Sequence, residues 1–128
     1  MDEWLTGPEG VKALGPFWPQ LREALTRLHS ETEFDVVELV GEGRAQVWLA
    51  PEQSVLVTVV EDDQLILWLA AGEYAPLEGL ARQAVAFARG LSLRRVMVYG
   101  RKGWARSFLC GMGFVEAYTV MAADLWAK

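Results

Sequence analysis

Only one cysteine, Cys110, and one histidine, His29, occur in the chain. A single thiol excludes an internal disulfide, and the two residues together cannot supply zinc-ligand spacing. Nothing therefore argues for an oxidising compartment. No apolar run approaches the ~20 residues needed to cross a bilayer. The opening Met1-Asp2-Glu3-Trp4 lacks the basic and apolar parts of a signal peptide, so a cytoplasmic protein with no membrane partner is expected. A Walker-type glycine loop and a paired-carboxylate motif are also missing. Positive charge is scarce at first: residues 1–78 hold 4 basic and 15 acidic side chains, a balance of −11. Residues 79–128 reverse this with 8 basic and 2 acidic, a balance of +6. Seven of those eight cations fall between Arg82 and Arg106. The two halves can attract each other within one fold; otherwise the basic stretch faces phosphates, nucleic acid or an acidic subunit.

What is present suits one domain. A chain of 128 residues can bury roughly two thirds of its unfolded surface without metal or disulfide. Its hydrophobic fraction of 52% and six Trp exceed what a small core requires, so part of the apolar surface is expected to meet another protein chain. Residues 1–16 contain Gly7-Pro8 and Gly15-Pro16 and read as an N-terminal arm or loop, leaving 17–128 as a single domain. Phe17, Trp18, Leu21, Leu25 and Leu28 recur at helical spacing, and Pro19 places the helix start near Trp18.

Strands are expected over 44–50, 54–60 and 64–71, with Glu61-Asp62-Asp63 as the hairpin between the last two. Connections this short require antiparallel neighbours, hence a three-stranded meander. Leu77, Leu80, Ala81, Ala84, Val85 and Ala88 define an amphipathic helix over 76–89 that ends at Gly90. A central strand over 95–99, a short helix over 103–110 and a long strand over 114–125 complete the order. The fold class is α/β with a mixed sheet, the meander being followed by helix, strand, helix and strand.

Two segments carry a family resemblance. Gly79-Leu80-Ala81-Arg82 with Arg89-Gly90 and Arg94-Arg95-Val96 is similar to the cofactor segment of GNAT-type acyltransferases and the strand after it. Ala105-Arg106-Ser107-Phe108-Leu109 ending in Gly113-Phe114 resembles that family's last helix. The resemblance implies an abbreviated GNAT fold and, for an active member, acetyl-CoA held by Gly79, Leu80, Ala81 and Arg82. The family's pyrophosphate loop is Gln/Arg-x-x-Gly-x-Gly/Ala. Anchored on Gly79 and Ala81 it begins at Pro76, which has no N–H; anchored by helix length it falls at Gly72-Glu73-Tyr74, where a carboxylate opposes phosphate. The family's usual tyrosine acid corresponds here to Leu109, which holds no proton to give. Only a relocated acid, Tyr99 or Tyr118, can replace it.

Residues 100–114, with Gly100-Arg101-Lys102-Gly103-Trp104-Ala105-Arg106 leading to Gly113-Phe114, also resemble small GNAT-like proteins of tailed bacteriophages. The main expectation is accordingly a degenerate, non-catalytic GNAT-like protein, with no cofactor, acting by protein–protein binding as a virion component or assembly factor. Trp48, Trp68, Arg101, Trp104 and Arg106 are its expected interface in a homo- or hetero-oligomer. The alternative is an active acetyl-CoA-dependent N-acyltransferase.

Overall fold

The computed structural model describes residues 4–28, 32–99, 115–117 and 120–124. Its elements run β1 (Trp4–Leu5), α1 (Gly7–Leu14), a 3-10 turn (Gly15–Phe17), α2 (Trp18–Leu28), α3 (Glu33–Gly41) and β2 (Ala45–Ala50). They continue with β3 (Ser54–Glu61), β4 (Gln64–Gly72), α4 (Tyr74–Gly90), β5 (Arg95–Tyr99), β6 (Val115–Ala117) and β7 (Val120–Asp124). One sheet has the order β1-β2-β3-β4-β5-β7-β6. The meander is as expected, and β4 and β5 are parallel neighbours joined by the α4 crossover.

Three features differ from the sequence reading. The segment expected as an arm or loop holds β1, which pairs with β2, and α1, whose Leu14 is fully buried. Gly-Pro pairs usually mark loops, but a proline in the first helical turn forfeits only an N–H that has no intrahelical partner. Gly10 lets α1 approach α3, since a Cβ there would lie 2.7 Å from Val40 Cγ1. Residues 33–41 form a helix that was not expected. Its start is a capping box: Asp35 N–H donates to Thr32 Oγ1 at 3.3 Å, and Thr32 N–H to Asp35 Oδ2 at 2.7 Å. The long last strand is instead a hairpin, because Ala117 pairs with Val120 and Val115 with Ala122. The helix expected over 103–110 lies outside the described residues.

Helices cover both faces of the sheet. On one face α4 sets Leu77, Leu80, Ala81, Ala84, Val85 and Ala88 against Trp48, Leu56, Leu65, Leu67, Val96 and Val98. Its small residues bring the helix close, and Phe87 meets Trp48 and Trp4 edge to face at 5.5 and 5.6 Å. On the other face Leu14, Phe17, Leu21, Leu25, Val36 and Val40 cover Val47, Val55, Val57, Ile66, Trp68 and Leu69. Arg22 of α2 bonds Glu33 of α3 through both guanidinium branches, at 2.8 and 3.1 Å. No helix among the described residues is long and apolar enough to cross a membrane.

Candidate functional site

Among the described residues, the pairing of β4 with β5 ends beside a single extra residue. From the Asp62-Asp63 turn the β3–β4 register runs regularly to Thr58 opposite Leu67. It then shifts, with Val57 opposite Leu69, so Trp68 is the added residue of a β-bulge. Trp68 and Leu69 consequently face the same side and both enter the α1–α3 core. A bulge bends its strand and increases its twist. Up to the bulge, residues 64–67 of β4 pair with residues 95–98 of β5. Past it, residues 69–72 remain paired with β3 and have no β5 partner, while β5 goes on through Tyr99 to pair with β7.

The ladder fixes which backbone groups line this opening. Glu73 N–H donates to the Gln53 carbonyl at 3.0 Å, making that pair the hydrogen-bonded kind. Alternation then turns Ala71 and Leu69 toward β3, and turns Ala70 and Gly72 away from it, to the side β5 has left. Gly72 N–H is taken by Gln20 Oε1 of α2 at 2.7 Å. Ala70 is half-buried and presents its N–H and C=O to the opening. A strand edge of this kind accepts an extended chain that carries amides of its own.

The end of β4 is equally constrained. Gly72 has φ +105°, and a Cβ there would overlap the Gln53 carbonyl oxygen. Ser54 Oγ donates to the Glu73 carbonyl at 2.6 Å. The helix α4 begins at the next residue, with Glu73 as its N-cap and no side-chain cap bond. Its N-terminus offers backbone N–H groups and positive potential to an anion, opposed by the Glu73 carboxylate and the missing N–H of Pro76. Behind the bulge lies a buried polar chain: Trp48 Nε1–H donates to Thr58 Oγ1 at 2.9 Å, and Thr58 Oγ1–H to Gln46 Oε1 at 2.8 Å. Thr58 is the last residue before the shift, so these bonds lie directly beside it.

The expected site residues are distributed unevenly. Of the two segments considered for a phosphate loop, Gly72-Glu73-Tyr74 lies at the junction of β4 and α4. Gly79, Leu80, Ala81 and Arg82 lie within α4, where Leu80 and Ala81 are buried against the sheet and Arg82 bonds Glu78 at 3.0 Å. Trp48 and Trp68 do not share an exposed face. Trp48 is fully buried under α4 and Trp68 is 8% exposed under the opposite layer, because β2–β3 alternation and the bulge send them to different sides. Among the described residues, the large apolar side chains that are exposed are instead Phe34, Tyr74 and Leu91. Tyr99 has its backbone at the end of β5, directly after the last residue paired with β4. Arg101, Trp104, Arg106, Leu109 and Tyr118 lie outside the described residues. Residues 64–72 carry no ionisable side chain, so β4 supplies no acid or base. Sequence reasoning missed Ala70 and Gln20. The bulge that exposes Ala70 has no residue signature, and Gln20 is simply polar on an amphipathic helix.

No protein-family model and no curated protein sequence matches the chain. Solved structures do, among them the following two. A GNAT family acetyltransferase from Brucella melitensis in complex with acetyl-CoA matches with a TM-score of 0.59 and 16% identity, covering 100% of this chain and 92% of that one. A PaiA N-acetyltransferase from Thermoplasma acidophilum in complex with coenzyme A matches with a TM-score of 0.56 and 12% identity, covering 92% and 94%. Such identities establish a shared fold, and the α/β fold of these acetyltransferases is the fold of this chain. They also correct the main functional expectation. Both neighbours are acetyltransferases with the coenzyme bound, which overturns the reading as a non-catalytic virion component.

Proposed function

We propose that this protein is an acyl-CoA-dependent acyltransferase that seats its donor in the opening between β4 and β5. The end of β4–β5 pairing at Leu67 and Val98, beside the Trp68 bulge, carries this reading. It receives support from a fold shared with acetyltransferases that hold acetyl-CoA and coenzyme A. The residues fit the donor's two amides: Ala70 N–H and C=O can bond them as the missing strand would. They fit its phosphates less well, since the start of α4 offers backbone donors beside the Glu73 carboxylate. When bound, the coenzyme supplies an acyl group activated as a thioester.

The chain's own residues then have separable tasks. Ala70 orients the arm along the exposed edge of β4, so the thioester comes to the bulge. Leu67 and Val98 on one side and Trp68 on the other surround that point with apolar groups and exclude water. Tyr99, whose backbone follows Val98 in β5, and Tyr118 are the two candidates to donate a proton to the departing sulfur. Such a donor contributes on the order of 10²-fold or more to turnover.

Calorimetry with acetyl-CoA and with coenzyme A tests the reading, with micromolar binding expected. Thiol release should follow when a panel of primary amines is added. Tyr99→Phe should lower kcat by about 10²-fold while leaving acetyl-CoA affinity unchanged. If Tyr118→Phe has that effect instead, the acid is reassigned. An absence of binding at millimolar acetyl-CoA refutes the proposal.

A further inference from the structure

Gln20 is the one side chain among the described residues whose recorded hydrogen bond goes to the open edge of β4. It belongs to α2, on the face of the sheet opposite α4. Its Oε1 accepts Gly72 N–H at 2.7 Å across 52 residues of sequence. α2 and β4, already packed through their apolar side chains, are thus also joined at the strand–helix junction by one neutral bond. Gly72 has no alternative partner in the ladder, because its N–H points away from β3. Its φ of +105° and tight approach to Gln53 leave no room for a side chain to steady it. The bond also fixes the Gln20 amide: Oε1 must face the N–H donor, which turns Nε2 the other way.

We propose that Gln20 is a positioning residue that latches α2 to the open edge of β4 and so sets the junction where the acyl donor seats. It acts through Gly72 and not on the reacting atoms. With the latch closed, Gly72 N–H is occupied, and the edge left for a ligand is confined to Ala70 and the Gly72 carbonyl. The donor then docks at one register instead of sliding along the strand. The bulge lies within the β3–β4 pairing, away from the Gln20 bond, so the latch governs affinity and not the chemistry at the thioester. This inference rests on the acyltransferase reading.

Full-length Gln20→Leu and Gln20→Glu provide the test. Leucine removes the acceptor at similar volume, whereas a glutamate carboxylate still accepts the N–H. Gln20→Leu should speed amide hydrogen exchange at Gly72 at least about tenfold, leaving Glu73, which bonds Gln53, unchanged. The same variant should weaken acetyl-CoA binding by about five- to tenfold, the worth of one neutral hydrogen bond, with its urea midpoint unmoved. Gln20→Glu should restore both exchange and affinity. A merely structural role would shift the urea midpoint without this split. Unchanged Gly72 exchange, or acetyl-CoA affinity that stays equal or tightens, overturns the role of Gln20 alone. Failure of the wild-type protein to bind acetyl-CoA overturns the acyltransferase reading and the positioning role with it.

Discussion

The two halves of β4 differ little in composition and greatly in surroundings. Residues 64–67 (Gln-Leu-Ile-Leu) pair on both sides, while residues 68–72 (Trp-Leu-Ala-Ala-Gly) keep β3 and lose β5. Both are apolar, and both lie under helices on their two faces. What separates them is backbone register, displaced by one residue at Trp68. On the proposed reading, a donor seat is made in a sheet with no charged or reactive side chain, by backbone groups of β4 that have no β5 partner among the described residues. The chemistry so exposed is that of Ala70, which no reading of side chains would select.

The difference between the halves can be abolished. Deleting Leu69 would return β4 to strict alternation with the same residues on the same faces, removing the cause of the parting. Loss of a buried leucine should cost about 2–5 kcal/mol in urea unfolding. Calorimetry should show acetyl-CoA affinity reduced at least ~100-fold; retention of binding would separate the opening from the bulge. Gly72→Ala attacks the far end of the open half. A positive φ and the overlap with Gln53 should cost ~3 kcal/mol, read from the same denaturation curves.

Thr58→Val attacks the paired half from behind. It deprives Trp48 Nε1–H of its acceptor and Gln46 of its donor, both buried, at about 2 kcal/mol. A Trp48→Phe, Thr58→Val double variant should lose less than the sum of the singles, since the two residues share one bond.

The smallest effect concerns the α2–α3 pair that flanks Gln20. The Arg22 guanidinium, chiefly by hydrogen bonding, holds the Glu33 carboxyl below its ordinary 4.5. A depressed folded-state pKa contributes stability that is fully present above about pH 4.5 and is lost as pH falls through the lower folded value. Both groups are exposed, so the contribution is slight. NMR titration of Glu33 should show the depression in the wild type and its disappearance in Arg22→Ala.

Much of this was legible before folding. Helical spacing located α2 and α4, β-branched alternation and turn residues located the meander, and Val96-Met97-Val98 marked a strand flanked on both sides. The Thr32-x-x-Asp35 pair before Val36, Leu39 and Val40 was a readable helix start that went unused. Gly7-Pro8 misled because the same residues punctuate loops and open helices. The site fared worse. The β4–α4 junction was reached by counting helix length, but the groups of the proposed donor seat were not.

By itself, the order of apolar, turn and capping residues determined an α/β chain with an antiparallel meander and a parallel crossover, because periods of 2 and 3.6 are local properties. Tertiary structure alone decided that Trp48 and Trp68 go to opposite layers, that Ala70 has no β5 partner among the described residues and that Gln20 reaches Gly72. Each of these depends on register between strands distant in sequence, and a one-residue shift in register reassigns faces and partners while leaving every local preference intact.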